Sequence, residues 1–403
     1  MTSNNRKPRL LVLTTTFPRW VGDHEPPFVY ELARRLTDSF DVTVLAPHAP
    51  GAAREETMDR VVVRRFRYAP DRLEKLAYEG GIPTRLQRQP WLALLLPSFL
   101  LAQIGAALRL TREKQPSVIH AHWLVPGGLV GAIVKELLPG HRRLLITAHG
   151  ADVHLRDRWP IRILKRLTID SADVLTVVSR ALRDRMRPFV PEGTRIEVAS
   201  MGVDLRTRYV PGAQSSAAET LVFAGRLVEK KGVADLLEAM PRVRDKRPGA
   251  RLLIAGHGPL EQDLRALTER LRIDDAVDFL GSVPNDQLPE ILRRACLAVL
   301  PFRTADDGDT EGLGLVAVEA MGCGIPVIVG DVPAIHDVVT HTETGWIVPQ
   351  RDPVALADAV TQLLDDPALA ARLGENGQRH AVRNFDWSVV AERYRGILRT
   401  LSG

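Results

Sequence analysis

Short apolar runs alternate with amphipathic segments along almost the whole chain. The first run is Leu10–Thr15, and Phe28–Thr37 follows it with the spacing of a helix that buries one face. Continuous apolar runs of this length, bounded by turn residues, are typical of strands that are covered on both sides, as in a parallel sheet. The pattern therefore predicts an α/β protein whose parallel sheets have helices on both faces.

The apolar runs fall into two sets, separated by a small, polar and weakly patterned segment at residues 209–218. Each set predicts a doubly wound, Rossmann-like domain, and ligands in such folds bind beyond the C-terminal ends of the strands. We therefore predict domains over residues 1–208 and 209–385 that face each other across a cleft. The predicted strands are Leu10–Thr15, Asp41–Ala46, Arg60–Tyr68, Val118–His122, Leu144–Ala148, Val174–Val178 and Arg195–Ala199, then Leu221–Ala224, Arg251–Ala255, Ala276–Leu280, Leu297–Pro301, Val327–Val329 and Trp346–Val348.

The segment Trp91–Leu110 is long and apolar enough to cross the core of a bilayer as a helix. Pro97, Gln103 and Gly105 interrupt it, however, and a buried helix of a two-layer domain has a similar composition. We therefore expect a core helix there.

Composition limits the functional classes. The chain has 403 residues, of which 45% are hydrophobic and 26% charged, as is typical of a soluble globular protein with two domains. Its two cysteines, Cys296 and Cys323, lie far apart, which indicates a reducing compartment and argues against a disulfide framework or a cysteine-built zinc site. A net charge of +5 favours acidic partners such as a nucleotide or a membrane surface, and no segment resembles a module that reads nucleic acid.

Candidate chemistry is concentrated between Glu311 and Val329, in the sequence EGLGLVAVEAMGCGIPVIV. Gly312 and Gly314 allow the backbone to approach a ligand closely, and Leu315–Met321 predicts a helix that begins at this turn. The start of a helix presents unpaired N–H groups and a partial positive charge, which suits a phosphate.

Two glutamates bracket this helix start. Glu319 lies about 7 Å along the helix axis, close enough for the ribose of a nucleotide whose diphosphate sits at the helix start. Glu311 precedes the helix and faces the other end of such a ligand. The pair therefore fits a sugar nucleotide, although, taken alone, it also fits a surface loop with two solvated carboxylates.

The spacing Glu311-x7-Glu319, followed by GCGIPVI, resembles the donor-site signature of retaining GT-B glycosyltransferases of the family 4 type. Further segments extend the resemblance over nearly the whole chain. It implies a GT-B fold, with the C-terminal helix at 386–403 packing back on the N-terminal domain. It also implies transfer of a hexose from a UDP- or GDP-sugar to a hydroxyl acceptor in cell-surface polysaccharide or glycolipid biosynthesis.

The second predicted domain opens with a cationic turn. Gly225 and Arg226 follow a predicted strand, and Lys231 precedes the next helix. The run matches the Gly-Arg-x4-Lys-Gly of the family residue for residue. The resemblance therefore implies that Arg226 and Lys231 are catalytic groups that neutralise the leaving diphosphate, through a guanidinium fork and a point charge respectively. Glu311 is then a catalytic group that holds sugar hydroxyls.

His149 and Asp152 lie in ITAHGAD, which resembles the strand-end His-Gly followed by an acid in the family. A neutral histidine can hydrogen-bond the donor sugar, so we predict that His149 is a catalytic group that aligns the reacting face. Asp152 is predicted to orient His149 or to contact the acceptor. The alternative is a capping histidine and an N-cap aspartate.

The other predicted contacts come from turns near the ends of strands. The loop after the first strand keeps Gly22, predicted at the donor, beside Asp23, predicted at the acceptor. Glu261 replaces the third glycine of the dinucleotide fingerprint that Gly256 begins, which argues against a dehydrogenase. The remaining predicted donor contacts are Gly225, Gly258, Val283, Gly312, Leu313, Gly314, Leu315 and Glu319.

We expect no metal ion and no cofactor. His120 and His122 share a strand face, but no third ligand is indicated nearby. The acidic run Asp306–Asp309 contains the Asp-x-Asp of metal-using transferases, yet Arg226 and Lys231 already balance the diphosphate. No nucleophile is indicated either. The family mechanism is therefore adopted, in which the departing phosphate oxygen deprotonates the acceptor on the same face of the sugar.

Partners beyond the donor are less specified. The arginine-rich region 156–187 fits either a face that contacts anionic lipid or a solvated helix face. We expect a saccharide or lipid-linked acceptor and a cytoplasmic protein, with peripheral contact at the inner face of the plasma membrane as an open alternative. A GT-B epimerase of sugar nucleotides and a non-catalytic nucleotide-binding scaffold are the competing functions. The sequence indicates no oligomeric state.

Overall fold

The computed structural model describes residues 7–23, 25, 27–78, 80–154, 159–212 and 219–403. The chain divides into two compact units, the first formed by residues 1–178, 182–199 and 390–403, the second by 179–181 and 200–389. The start of the second unit differs from the predicted boundary, because Val203 forms a bridge with Asp386 and Gly202 packs against Trp387. Residues 213–218 of the predicted linker lie outside the described residues.

The described part of the first unit contains an eight-stranded sheet. Its order is β3-β4-β2-β1-β5-β6-β7-β8, and every pairing is parallel except that of β3 with β4. The predicted strand Arg60–Tyr68 corresponds to β4, and the prediction missed β3, because β3 (EETM) is polar and only half-buried. The strands are β1 (Arg9–Leu13), β2 (Asp41–Pro47), β3 (Glu55–Met58), β4 (Val61–Phe66), β5 (Val118–His122), β6 (Arg143–Ala148), β7 (Val174–Val177) and β8 (Arg195–Val198).

Helices cover this sheet, which confirms the doubly wound prediction. The last helix, α14 (Trp387–Ser402), ends in the first unit. There, the Tyr394 hydroxyl donates to the carbonyl of Ala199 at 2.9 Å, and the Arg395 guanidinium donates to the carbonyl of Arg35 at 3.1 Å. The helices are α1 (Phe28–Leu36), α2 (Gly81–Arg88), α3 (Leu96–Lys114), α4 (Leu129–Leu137), α5 (Ala151–His154), α6 (Trp159–Asp170), α7 (Arg180–Met186), α8 (Val233–Lys246), α9 (Glu261–Arg270), α10 (Leu288–Arg293), α11 (Leu315–Gly322), α12 (Pro353–Asp365), α13 (Pro367–Phe385) and α14 (Trp387–Ser402).

The apolar segment that we expected to be a core helix lies at the surface. It forms a 3-10 turn at Pro90–Leu95 followed by α3, and only 22% of its most apolar window is buried. Phe99, Gln103 and Ala107 form the buried stripe, while the opposite face is exposed. The expectation of a buried helix is therefore wrong for most of this segment.

The second unit contains a six-stranded parallel sheet in its described part. The order β11-β10-β9-β12-β13-β14 reverses direction at β9, so the loops after β9 and β12 flank a topological switch point. Doubly wound sheets bind ligands at this place. The strands are β9 (Thr220–Ala224), β10 (Arg251–Ala255), β11 (Val277–Gly281), β12 (Leu297–Leu300), β13 (Val327–Gly330) and β14 (Trp346–Val348).

Candidate active site

Glycine backbones hold the loops together at the switch point of the second unit. A Cβ on Gly256 would stand 1.8 Å from the carbonyl oxygen of Gly225, and one on Gly232 would stand 1.9 Å from that of Pro301. A Cβ on Gly258 would stand 2.3 Å from the carbonyl oxygen of Leu227. The loops after β9, β10 and β12 therefore pack backbone against backbone. This packing accounts for the glycine at Gly258, which we predicted as a donor contact.

Two predicted catalytic groups meet at this edge of the sheet. The Lys231 Nζ donates to Glu311 Oε2 at 2.6 Å and lies 4.8 Å from the centre of the Phe302 ring. Burial acts to raise the pKa of the Glu311 carboxyl, but the charges of Lys231 and Lys230 outweigh it and hold that pKa below its ordinary value. Glu311 is therefore ionised at neutral pH and forms a largely buried ion pair with Lys231.

Arg226 lies in the same turn as Lys231 and is half-buried. Its carbonyl accepts a hydrogen bond from the backbone N–H of Val228 at 2.9 Å, which tightens the turn, and Gly225 stands before it with φ +148°. The turn therefore brings both predicted cationic groups to the C-terminal end of β9.

The predicted helix start is confirmed, because α11 begins at Leu315. Gly314 precedes it with φ +92°, a conformation that favours glycine, and a Cβ there would meet Phe302 and Ile335 at 3.2 Å. Leu313 is buried and Gly312 half-buried. The first N–H groups of a helix have no i−4 partner within it, and in α11 the N–H of Ala317 bonds to the carbonyl of Gly314 at 2.9 Å.

Glu319 lies one turn into α11 and is paired with a residue that the sequence did not indicate. Burial raises the pKa of its carboxyl to about 7, although a hydrogen bond with the Tyr209 side chain opposes this shift. Burial and the nearby Glu319 also raise the pKa of the Tyr209 hydroxyl. Tyr209 was placed in the predicted linker, and no motif pointed to it.

Val283, predicted at the nucleobase, follows the edge strand β11 and is half-buried. Gly281, at the end of that strand, accepts a hydrogen bond from the backbone N–H of Gly256 at 2.8 Å. Two strand spacings, roughly 10 Å, separate β11 from β9 and the cationic turn.

The first unit holds a cluster of three histidines at the ends of β5 and β6. The Nδ1 of His122 lies 2.9 Å from Nε2 of His149, and the ring centres of His120 and His122 lie 4.3 Å apart, with the rings tilted by 36°. The aromatic rings of Phe28 and Trp123 pack on His149 at 5.1 and 4.9 Å. The cluster therefore fixes the orientation of His149 from several sides.

These histidines are neutral at pH 7. Burial lowers the pKa of His120 and of His149 to about 3, and it also lowers that of His122. Between two neutral rings, one nitrogen donates and the other accepts, so the bond to His122 selects the tautomer of His149. This hydrogen bond also occupies Nε2 of His149, so Nδ1 is the ring nitrogen of His149 that can contact a ligand.

Asp152 positions the turn that follows His149. Its Oδ1 accepts hydrogen bonds from the backbone N–H groups of His149 and Gly150 at 3.0 and 3.1 Å, and its Oδ2 accepts one from Leu124 at 2.8 Å. The residue is 2% exposed, so its carboxylate faces the protein rather than a site open to an acceptor. Asp152 therefore holds the turn that follows His149, and the predicted orienting role remains a prediction.

Asp23 is also engaged within its own loop. Its carboxylate accepts hydrogen bonds from the backbone N–H and from the guanidinium of Arg19, at 2.7–2.8 Å. Gly22 beside it is exposed, with φ +83°. Pro26 lies outside the described residues, and α1 begins at Phe28, as predicted.

Two of the three aspartates in the acidic run after β12 pair with cations of the protein. Asp309 pairs with Lys230 at 3.0 Å, and Asp306 pairs with Arg351. Within the described ranges, one group of side chains has metal-ligand spacing, with its ligand atoms within 4.8 Å of one another: His48, Asp71 and Glu74. Arg67 contacts both acids of that group, and it competes with any cation there.

Comparison with known proteins decides the family. Residues 27–207 match the model of Glycosyltransferase Family 4, and residues 212–380 match that of Glycosyl transferases group 1. A GDP-mannose-dependent alpha-(1-6)-phosphatidylinositol monomannoside mannosyltransferase of Mycobacterium tuberculosis is 34% identical over 97% of this chain and 98% of its own length. This chain is a family 4 glycosyltransferase.

A second relative and the solved structures agree with this family. A GDP-mannose-dependent monoacylated alpha-(1-6)-phosphatidylinositol monomannoside mannosyltransferase of Corynebacterium glutamicum is 30% identical to the glycosyltransferase over 81% of this chain and 87% of its own length. The fold matches that of sucrose-phosphate synthase from Thermosynechococcus elongatus, with a TM-score of 0.79 and 23% identity over 98% of this chain and 99% of the other. Anabaena HepE in complex with UDP gives a TM-score of 0.73 and 18% identity over 97% and 100%. The glycosyltransferase thus has the GT-B fold and uses a nucleotide-sugar donor.

Proposed function

We propose that this glycosyltransferase transfers mannose from GDP-mannose to a hydroxyl of a lipid-linked acceptor, with retention of the anomeric configuration and without a metal ion. The names of the two relatives described above support the donor and the acceptor class. The observation on which the proposal chiefly rests is the ion pair of Lys231 with Glu311 at the switch point, beside the start of α11.

Charge development explains what these groups do. Cleavage of the sugar–phosphate bond builds negative charge on the diphosphate and positive charge at the anomeric carbon. Arg226, Lys231 and the N–H groups at the start of α11 stabilise the diphosphate from fixed positions, which is typically the largest catalytic contribution. Because Lys231 is paired with Glu311, an incoming diphosphate shares the ammonium with that carboxylate rather than meeting an isolated charge.

The remaining groups hold the donor. Glu311, which is ionised, accepts hydrogen bonds from sugar hydroxyls, and Glu319 accepts them from the ribose. His149 contacts the reacting face through Nδ1. The acceptor oxygen bonds to the anomeric carbon on the face that the phosphate leaves, and the acceptor proton passes to the departing phosphate oxygen. This step needs no protein nucleophile and gives retention.

Product analysis tests the proposal. We expect that GDP-mannose and a phosphatidylinositol mannoside acceptor give an α-mannoside, identified by NMR, and that release of GDP requires the acceptor. Activity should persist in EDTA, because cationic side chains neutralise the diphosphate. A new sugar nucleotide formed without acceptor would indicate an epimerase, and binding of GDP-mannose without turnover would indicate a scaffold.

The raised pKa of Glu319 predicts a pH-dependent KM for the donor. The carboxylate form accepts ribose hydrogen bonds, and with a pKa of about 7 its fraction rises about tenfold between roughly pH 6 and pH 8. KM for GDP-mannose should therefore fall by up to about tenfold over this range. In Glu319→Gln, KM should stay high and lose this dependence. An unchanged pH profile in that variant would show that another group titrates.

A further inference from the structure

The first unit exposes an apolar surface that a water-soluble protein ordinarily covers. Large apolar side chains with high exposure cluster at residues 91–101: Trp91 is 49% exposed, Leu94 81% and Leu101 68%. They lie on the 3-10 turn Pro90–Leu95 and on the first half of α3, which are packed together. We call Trp91, Leu94, Leu96 and Leu101 the apolar surface. Exposed apolar patches of this kind mark sites of interaction.

The surrounding sequence has an unusual charge distribution. Residues 89–108 contain no ionisable side chain, although 26% of the whole chain is charged. No Asp or Glu occurs between residues 80 and 112, whereas Arg85, Arg88, Arg109 and Arg112 flank the apolar run. Of these arginines, Arg88, Arg109 and Arg112 are exposed. Residues 80–112 are therefore apolar in the middle and basic at both ends, and Glu113, which lies near Arg109, is the first acid after them.

We propose that this surface docks the glycosyltransferase on an anionic lipid bilayer. Leucines at the centre enter the boundary between headgroups and acyl chains, and arginines at the border meet anionic headgroups. A tryptophan at the edge, such as Trp91, prefers the same interfacial depth. A second copy of the chain would bring the same basic border against this one, which disfavours that occupant.

The packing of α3 shows that the chain lies on the bilayer rather than crossing it. The segment Pro90–Lys114 has a mean hydropathy of 1.9 and a length sufficient for a span. Phe99, Gln103 and Ala107, however, are at most 1% exposed, so one face of the helix is packed within the first unit. That face cannot contact lipid while the unit is folded, and only the opposite face is available.

The other basic region, 156–187, is a weaker candidate for lipid contact. In α6, Ile163 and Leu167 are exposed, but Arg166 pairs with Asp170 on the same face, so its charge is already balanced. Arg156 and Arg158 lie outside the described residues. Helix α4 packs against both α3 and α6, so the two exposed faces belong to one layer of helices.

Vesicle binding tests the docking surface. We expect the protein to co-sediment with vesicles of phosphatidylcholine containing about 30% phosphatidylglycerol, more weakly at high salt, and not with pure phosphatidylcholine. The double variant Leu94→Glu with Leu101→Glu should partition at least about tenfold more weakly. Val354→Glu, an exposed apolar position in α12 of the second unit, is the matched control and should bind like the wild type.

A second readout locates the contact. Brominated lipids should quench tryptophan fluorescence in the wild type, and Trp91→Phe, compared at an equal amount of vesicle-bound protein, should lose most of the quenching. Wild-type protein that stays in the supernatant, a double variant that binds normally, or quenching that persists in Trp91→Phe would each overturn the proposal. So would a dimer that the double variant abolishes, because the apolar surface would then be an interface between copies.

Docking gives a lipid-linked acceptor access to the enzyme, and in that respect it deepens the proposed function. Vesicles without acceptor, in buffer without GDP-mannose, make the measurement independent of mannosyl transfer. A protein that binds these vesicles but transfers no mannose would therefore refute the proposed reaction and leave the docking surface intact. A protein that transfers mannose but does not bind these vesicles would refute the docking surface and leave the proposed reaction intact.

Discussion

Replacing Lys231 by alanine is expected to lower kcat of the proposed mannosyl transfer by about 10³-fold. In the proposed reaction the ammonium stabilises charge that develops on the diphosphate in a partly buried site, and removal of one such fixed donor commonly costs 10²–10³ in kcat. Lys230→Ala is the matched control, because Lys230 is adjacent but bonds to Asp309 and the carbonyl of Thr310. Its kcat should stay within about threefold of the wild type.

The same substitution removes the partner of Glu311, so lost stability must be separated from lost catalysis. A largely buried carboxylate without its cation is costly, and Lys231→Ala should therefore lower Tm. The double variant Lys231→Ala with Glu311→Gln should recover part of Tm without recovering kcat. If kcat returned together with Tm, Lys231 would act through folding alone, and its role at the diphosphate would be refuted.

Replacing His149 by alanine is expected to lower kcat by about 10²–10³-fold, and it should also lower Tm, because the ring packs on Phe28 and Trp123. In the proposed reaction the ring contacts the reacting sugar through Nδ1. His141→Ala, an exposed histidine before β6, is the control and should have wild-type kcat. Steady-state kinetics on folded variants, checked by circular dichroism, give the comparison. An unchanged kcat in His149→Ala would contradict the catalytic assignment.

The histidine cluster also predicts a pH profile. Because burial lowers the pKa of His149 to about 3, its imidazole stays neutral well below the ordinary value of 6.5, and kcat should show no acidic limb near that value. His122→Leu removes the bond to Nε2 and should lower kcat about tenfold, with an acidic limb appearing as His149 loosens. His122→Asn can keep a polar atom near the Nδ1 position and should restore most of kcat. Equal losses in both variants would exclude a positioning role.

The fold was predictable because each sheet alternates apolar strands with amphipathic helices. The central strand β1 has four consecutive residues at most 1% exposed, so its sequence is a plain apolar run. The edge strand β3 escaped detection because a polar strand at a sheet edge resembles a loop. The prediction that Trp91–Leu110 is a buried helix was wrong for another reason. Hydropathy measures composition, but it does not tell whether the apolar face contacts protein or solvent.

The candidate site was predictable as a set of residues but not as a set of contacts. Motifs pointed to Lys231 and Glu311, yet their ion pair joins residues 80 positions apart, and only the parallel register brings them together. The contact between His122 and His149 could have been found, because they follow neighbouring strands. Tyr209 could not, since no local pattern marks a buried partner of Glu319.

Asp23 and Asp152 show a further limit of motif reading. Both carboxylates accept hydrogen bonds from nearby backbone N–H groups, a use that favours aspartate in turns irrespective of any ligand. The motif fixes the residue type, but it does not distinguish a turn that shapes the site from a side chain that contacts the acceptor.

A crystal structure with bound GDP would test most directly whether the cationic turn and the start of α11 form the donor site. We expect phosphate oxygens within about 3.2 Å of Lys231 Nζ and of backbone N–H groups at the start of α11, with ribose hydroxyls on Glu319. A nucleotide bound elsewhere, with Lys231 and Glu319 both beyond hydrogen-bond distance of it, would contradict the assignment.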